Sequence, residues 1–307
     1  KAERCNLAPL TRFPACVAPD MVDTAKMAEL LRTLLSSQNA ERSQAENMYQ
    51  QAKKSDPDMV IVGLVATLAE VGIDQACRRQ GAILLRQLVT WTPGKDFAFG
   101  RLTPARRQEV ADELLRSYEI EADPQMQKKI GEVVAKLAKC AHDEKVQSGW
   151  LASNQRGWPA LFPFVFRMAS ASANENAASC ESALRLLQEL MPELSGQIVS
   201  SQEQVGEILK SSLGHQDPKV CCAGLLLVCE MVRVLEKTKW MPLTSTVGVL
   251  QNVLQRLAQA SLTEQLKESI QAFTDVASVE PDFFKQLLAV ELEPAKFLAT
   301  LLKSREA

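Results

Sequence analysis

The chain has little of what a catalytic or membrane-spanning protein needs. Only two of its 307 residues are histidine, and 5% are aromatic. The sequence contains no nucleophile-elbow, Walker or dinucleotide-binding motif. Its longest uncharged apolar runs, Met59–Ala69 and Val220–Cys229, are far shorter than the roughly 20 residues that cross a bilayer. We therefore expect no catalytic residues, no cofactor and no membrane insertion.

Charge and cysteine spacing exclude two further classes. The formal net charge is −2, so no overall positive field would draw the chain to nucleic acid or to an anionic membrane surface. The eight cysteines lie mostly in apolar helical stretches and form no disulfide framework. Cys221 and Cys222, with Cys229, lack the spaced doublets of a zinc site. We predict a reduced protein with no metal ligands and no direct nucleic-acid contact.

What the chain does have is a repeated pattern of helix pairs. Apolar residues recur at spacings of three and four from Thr24 onwards, as on one face of a helix. The first helices of the pairs begin at intervals mostly close to the ~40–47 residues of HEAT repeats. The predicted pairs are 24–35 with 39–53, 58–71 with 74–89, 103–118 with 125–141, 160–169 with 175–190, 201–213 with 217–237, and 244–260 with 263–279. We predict an all-α, right-handed superhelix of about six HEAT pairs, with a seventh opening at 283–302.

The predicted organisation is one solenoid preceded by a short arm. Residues 1–22 carry Pro9, Pro14 and Pro19, and they have no apolar block of signal-peptide length. We expect this segment to be a poorly ordered arm or a cloning remnant. The solenoid is expected to span residues 23–307, with one region at about 24–143 and further repeats at 158–307.

Four segments in the first half of the chain carry a more specific pattern. They are Asn39–Glu46 (NAERSQAE), Arg79–Arg86 (RQGAILLR), Gln127–Ala138 (QKKI…AKLA) and Gly157-Trp158-Pro159. In this order and spacing they resemble the first four repeats of the karyopherin-β, or importin-β, family. The likeness is greatest to the branch of importins four and five. Gly81 departs from the family pattern, which usually has a larger residue there, and whole karyopherins carry many more repeats, so we expect an N-terminal fragment.

The resemblance implies a nuclear transport receptor that shuttles between cytoplasm and nucleus. In that family the first repeats hold the GTP-bound form of the small GTPase Ran. Cargo proteins with basic localisation signals bind further along the solenoid, and nucleoporins are further partners. The same three classes of partner are therefore expected for this chain.

Charged residues on the second helices are the candidates for these contacts, because the second helices of such pairs line the concave face. The balance of charge there changes from basic to acidic along the chain, and complementary charge selects partners. The candidates for Ran are Arg42, Glu46, Gln50, Arg79, Arg86, Lys128, Glu132 and Lys136. The candidates that face cargo are Glu181, Glu189, Glu264, Glu268 and Asp275. The competing interpretation is a solvated helix face with charge pairs four residues apart.

The alternative function is a HEAT scaffold of another class. Tubulin-binding arrays present basic and aromatic residues in the turns inside each pair. The predicted turns here, such as Gly72-Ile73 and Gly214-His215, contain no Lys, Arg or Trp. This argues against tubulin, whereas a phosphatase-type scaffold for assembling protein complexes stays open.

Smaller expectations concern individual side chains. Leu35 and Met48 are predicted on the apolar stripes of the first pair, at helical spacing. His142 is expected to interact with the terminal carbonyls of its helix. The tryptophans, Trp158 and Trp240 among them, are expected to pack between repeats.

Overall fold

The computed structural model describes residues 24–92, 97–143, 157–170 and 177–285. Every regular element in these ranges is helical. The helices are α1 (Thr24–Leu34), α2 (Asn39–Ser55), α3 (Pro57–Ala69), α4 (Gln75–Val89), α5 (Pro104–Ile120), α6 (Pro124–His142), α7 (Leu161–Ala169), α8 (Ala177–Ser200), α9 (Gln202–Leu213), α10 (Pro218–Val234), α11 (Lys237–Trp240), α12 (Val247–Gln259) and α13 (Thr263–Val279). Short 3-10 turns occupy Ala98–Arg101, Met241–Thr246 and Pro281–Phe284. The predicted arm at 1–22, and the seventh unit beyond residue 285, lie outside the described residues.

The helices form antiparallel pairs that stack side by side. In the six pairs the first helices are α1, α3, α5, α7, α9 and α12, and each packs on the second helix that follows it. The second helices α4, α6, α8, α10 and α13 also pack on one another in that order. Helix α2 differs, since its main neighbours are α1 and α3, and α1 rather than α2 lies against α4. The arrangement confirms the predicted all-α superhelix of HEAT-type pairs.

Aspartate followed by proline fixes several helix starts. Asp56, Asp123 and Asp217 each cap the helix behind them by accepting a hydrogen bond from a backbone N–H of its first turn, at 2.8–3.0 Å. Proline at the first helical position costs nothing there, because its missing N–H would have no partner inside the helix. These three signals begin α3, α6 and α10 within one residue of the predicted boundaries.

One apolar core runs from the first pair to the last. It extends from Met27 to Phe283, and the side chains of Leu31 and Phe283 are fully buried. Trp158 and Trp240 are each 1% exposed, and Trp240 meets Phe283 edge-on with ring centroids 5.9 Å apart. The contact of Trp240 and the burial of Trp158 agree with the expected packing between repeats, and Trp150 lies outside the described residues. Ala98 and Phe99, within a stretch that reads as a loop, are also buried in this core.

Two residues placed on apolar stripes are exposed instead. Leu35 is 45% exposed and Met48 is 56% exposed, so both predictions are wrong. Leu35 follows the last residue of α1 and belongs to the turn. Helix α2 buries only Ala45 and Tyr49, and Met48 is rotated away from that narrow stripe by one residue, or about 100°.

Buried polar contacts join successive pairs near the turns. Arg78 on α4 donates to the Leu68 carbonyl at the end of α3, at 2.7 and 3.2 Å, and pairs with Glu121 at the end of α5. Further along, the Tyr118 hydroxyl donates to the Ser182 carbonyl at 2.7 Å. Arg78 thus satisfies a carbonyl at the end of its own pair and a carboxylate of the third pair, and Tyr118 of the third pair donates to the fourth.

Replacing Arg78 by methionine should lower the free energy of unfolding by about 3–5 kcal/mol, because it leaves the Glu121 carboxylate buried without its cation. The double variant Arg78→Met/Glu121→Leu removes both charges and should recover much of that loss. Urea denaturation followed by circular dichroism measures both. A single variant as stable as the unsubstituted chain would show that this contact does not hold the pairs together.

Two helical glycines should respond in opposite directions to alanine. A Cβ on Gly81 would lie 3.5 Å from Leu31 and 3.7 Å from Leu68, which is ordinary contact. A Cβ on Gly224 would lie 2.6 Å from the Ser212 hydroxyl and would displace it. Because alanine favours a helix over glycine by ~1 kcal/mol, Gly81→Ala should raise the midpoint of thermal unfolding and Gly224→Ala should lower it. Shifts of the same sign in both variants would contradict this packing.

Candidate partner-binding face

The solvent side of the stacked helices α4, α6, α8, α10 and α13 forms the candidate site, and we call it the second-helix face. Helix α6 carries four lysines against one glutamate, and α4 carries three arginines and no acidic residue. On α8, three glutamates stand against one arginine, and α13 likewise has three carboxylates and one lysine. The basic-to-acidic change in charge therefore occurs between the adjacent helices α6 and α8.

Ion pairs cross this face between neighbouring helices. Arg86 on α4 lies 2.5 Å from Glu132 on α6. Glu193 on α8 accepts from Lys136 at 2.5 Å and from Lys139 at 2.6 Å, both on α6. Burial opposes the ionisation of Glu193, but the two lysines outweigh it and lower the pKa of its carboxyl. These charges hold α4, α6 and α8 to one another as well as facing solvent.

Arg185 performs the same role on the acidic helices. Its guanidinium lies 3.0 Å from Glu181 on its own helix and 3.2 Å from Glu268 on α13. Burial alone would lower the pKa of Arg185, but Glu268 and Glu181 outweigh it and raise that pKa. Two of the acidic candidates thus share one cation, so the three side chains together keep one net negative charge. On α13, Glu264 pairs with Lys267 at 2.9 Å, and Asp275 accepts from Gln271 at 2.8 Å.

Among the candidates on α6 and α8, Lys128 and Glu189 stand out because no described group of opposite charge lies within ion-pair distance of either one. Lys128 is exposed on α6, whereas Glu189 is half-buried on α8. Burial raises the pKa of Glu189, and the nearby Lys128 opposes that shift. Glu132 and Glu230 raise the pKa further, since like charges disfavour ionisation. Glu189 is therefore a desolvated carboxylate between two helices that also carry carboxylates.

Comparison with known proteins gives the family. A family model described as "IPO5-like, TPR repeats" matches residues 122–293, which is more than half of the chain. The chain belongs to the importin-5-like branch of the karyopherin-β family. TPR and HEAT repeats are both stacked helix pairs, so this description agrees with the architecture. Members of the family are transport receptors rather than enzymes.

The similar proteins are much longer than this importin-5-like chain. A probable importin-5 homolog of Dictyostelium discoideum is 23% identical over 263 residues, which cover 84% of this chain and 23% of that protein. The crystal structure of Kap121p bound to RanGTP matches with a TM-score of 0.65 at 16% identity, covering 87% of this chain and 23% of Kap121p. Kap121p bound to Nup53p matches with a TM-score of 0.66 at 17% identity, covering 89% and 24%. The structural likeness shows the fold, and the chain spans about a quarter of the length of these relatives.

The structure brings some of the predicted site residues together and separates others. Most of those on α4, α6, α8 and α13 lie in one row of contacting helices. Arg42, Glu46 and Gln50 lie on α2, outside that row, and Arg42 approaches Glu46 at 4.0 Å. Arg79 is exposed at the edge of the row, 3.9 Å from the capping carboxylate of Asp123.

Glu193 belongs to this importin-5-like face but was not predicted. The predicted second helix of the fourth pair ends at Leu190, before Glu193, and proline at position 192 is unfavourable inside a helix. The structure continues α8 to Ser200 through a kink, where Leu194 has φ −128° and ψ 28°. The spacing of four between Leu190, Leu194 and Ile198, all buried, is the sequence signal that could have revealed the continuation.

Two further classes of site find no support in the described part of the chain. None of its helices combines the length and hydropathy that crossing a membrane requires. Among the described residues, no three side chains of the metal-ligating types cluster as a metal site would need. Six described cysteines, Cys77, Cys140, Cys180, Cys221, Cys222 and Cys229, are free and buried.

Proposed function

We propose that this importin-5-like chain is part of a nuclear transport receptor whose second-helix face binds protein partners. Its first three pairs bind the GTP-bound form of Ran, and its later pairs contribute to binding cargo with basic localisation signals. The complete receptor moves between cytoplasm and nucleus and also meets nucleoporins. The family assignment favours this function over a phosphatase-type scaffold. The likeness to Kap121p structures bound to RanGTP and to Nup53p supports these classes of partner.

The observation that carries the proposal is the uneven pairing of charge on the second-helix face. A paired residue such as Arg86 or Lys136 must give up its ion pair before it contacts a partner, and this reduces the net free energy of binding that the contact contributes. Lys128 carries no such cost, and Arg79 is held only loosely by Asp123 at 3.9 Å. We therefore assign the main contacts with Ran to Arg79 and Lys128. Arg86, Glu132 and Lys136 then act mainly by fixing the spacing of α4, α6 and α8.

The candidates on α2 have a separate place in this proposal. Arg42, Glu46 and Gln50 would contact Ran only if it reaches past α4 to the first pair. Helix α2 buries just two side chains, so most of its surface is available. We retain these three residues as a secondary contact.

The acidic half of the face is proposed to bind cationic side chains of cargo. Glu189 is the main candidate, because a partner's ammonium or guanidinium group would offset both its burial and the repulsion from Glu132 and Glu230. Glu181 and Glu268 share the cation of Arg185 and contribute less. Glu264 and Asp275, at the far end, complete the proposed acidic stripe.

The boundaries proposed from the sequence accompany this function. Residues 23–307 are taken as one solenoid, with the Ran-binding region at about 24–143 and the further repeats at 158–307. The continuity of the core from α1 to the last described turn supports a single unit.

Binding to Ran tests the proposal directly. Purified chain, and in parallel the full-length receptor that contains it, is titrated with Ran loaded with GTP or with GDP, and the affinity is measured by biolayer interferometry. We expect binding to the GTP form alone. Failure of both the folded chain and the full-length receptor to bind Ran-GTP would reject the assignment.

Lys128→Glu should weaken Ran-GTP binding by at least about tenfold, or ~1.4 kcal/mol, because it removes an unpaired cation and adds repulsion. Lys210→Glu on the first helix α9 makes the same charge change at an exposed lysine on the other row of helices, and it should leave the affinity unchanged. Equal losses in the two variants would show that overall charge, rather than the second-helix face, governs binding.

Glu189→Gln should reduce the affinity for a lysine-rich localisation-signal peptide severalfold, since the amide keeps the shape but loses the charge. Glu207→Gln on α9 is the matched control, because it neutralises an exposed carboxylate away from the face. Fluorescence anisotropy of the labelled peptide measures both. Unchanged binding by Glu189→Gln would remove this residue from the cargo site.

A further inference from the structure

His142, the last residue of α6, connects the third helix pair to the fourth. Its Nε2 accepts a hydrogen bond from the backbone N–H of Trp158 at 3.4 Å, and its Nδ1 lies 3.4 Å from the side-chain amide of Gln197 on α8. The ring was expected to interact with carbonyls at the end of its own helix. It contacts the next pair instead, because the chain returns to it at Gly157 after the connecting segment.

Gly157 makes this contact possible. Its φ is +80°, a conformation that favours glycine, and its backbone lies directly against the imidazole ring. A Cβ at this position would lie 2.7 Å from His142 Nδ1 and 2.8 Å from Nε2. The ring therefore occupies the space of a side chain, and the backbone that opens the fourth pair closes over it.

The hydrogen bond from Trp158 requires a neutral ring. Because Nε2 accepts this hydrogen bond, the neutral ring carries its own proton on Nδ1. The Gln197 side-chain amide accepts that proton when its oxygen faces the ring. The two flipped orientations of the amide have the same shape, so this orientation fits the same space. Protonation of Nε2 would place two donors face to face and break the contact with Trp158.

The charged groups around His142 do not favour its protonated form. Burial is the cause that lowers the pKa of the imidazole. Lys139 lies one turn earlier on α6, and Glu193 on α8 is engaged by two lysines. Asp143 follows in the chain, and Gly157 and Trp158 add no charge. The described surroundings thus hold no carboxylate free to stabilise an imidazolium ring.

We propose that His142 is a pH-sensitive latch that closes the junction between the third and fourth helix pairs and releases it on protonation. The junction separates the basic helices α4 and α6 from the acidic later pairs, so releasing it changes how the two halves of the second-helix face are held. This inference concerns the fold and does not depend on Ran binding.

The direction of the pH effect follows from proton linkage. The latch is fully closed above pH ~6.5, the ordinary pKa of an exposed histidine. As the pH falls from there to the lower pKa of the closed state, the open form binds the proton better, and the open fraction rises about tenfold per pH unit. Below the closed-state pKa both forms are protonated and the increase stops.

Hydrogen exchange of the full chain between pH 7.5 and pH 5, corrected for intrinsic exchange, tests the latch. Below pH 6.5, the open fraction reported by the amides of 157–169 should rise about tenfold per pH unit. The open fraction reported by the amides of 247–259 should stay constant. His142→Gln should abolish this pH dependence, and His215→Gln, which replaces the other histidine, should leave it intact. A pH step that survives in His142→Gln, or no step in the unsubstituted chain, would overturn the proposal.

If His142→Gln fails to fold, a second measurement tests whether protonation of His142 releases the junction. The chain has two histidines, so NMR resolves the imidazole titration of each with His215→Gln as the assignment. We expect His142 to titrate below 6.5, over the same pH range in which 157–169 loses protection. Titration at or above 6.5, or outside that range, would contradict the latch.

Discussion

The buried contact of Arg78 with the Leu68 carbonyl and Glu121 illustrates the constraint on which the whole solenoid depends. A helix pair cannot bury its apolar face alone, so it must lie against a neighbour. That stacking also buries carbonyls and carboxylates at the turns, which need partners from the next pair. Arg78 supplies such a partner to Glu121 between the second and third pairs, and the Tyr118 hydroxyl donates to Ser182 between the third and fourth. Polar complementarity at the turns therefore accompanies apolar burial between the helices.

The second-helix face follows from this stacking. Once α4, α6 and α8 lie side by side, their charged side chains meet across the gaps, and Arg86 and Lys136 form ion pairs with the next helix. Arg185 on α8 pairs with Glu268 on α13, one helix further along the row. Half-exposed ion pairs of this kind each contribute little to stability, but they determine which charged side chains already have a partner within the chain. Lys128 on α6 and Glu189 on α8 are left without an ion pair, which is why we propose them as partner contacts. At the boundary between α6 and α8, the basic and acidic side chains thus partly neutralise one another.

The repetition of helix pairs could be read from the sequence because its signals are local. Apolar spacing and the Asp-Pro caps at Asp56, Asp123 and Asp217 lie within single helices, and they give the number and order of pairs. The four importin-like segments likewise pointed to the family that the comparison found. The extension of α8 beyond Pro192 was missed because proline normally ends a helix, and tertiary packing of Leu194 and Ile198 overrides that preference here.

The pairing of charges could not be predicted in the same way. Arg86 and Glu132 are 46 residues apart in sequence, and Lys136 and Glu193 are 57 apart, so no local pattern joins them. The departure of α2 from the row of second helices is also a tertiary effect, since its apolar stripe is only wide enough for Ala45 and Tyr49. The ion pairs and the position of α2 distinguish charged residues that face solvent freely from those that hold the helices together. The sequence positions of the charged residues alone do not make that distinction.

The most direct test is to map the contact itself. Hydrogen exchange of this chain, alone and saturated with Ran-GTP, reports which helices lose solvent access on binding. We expect protection on α4 and α6, concentrated around Arg79 and Lys128, with α3 and α5 of the same pairs unchanged. Protection confined to the first helices α3 and α5 would contradict the second-helix face as the site where partners bind.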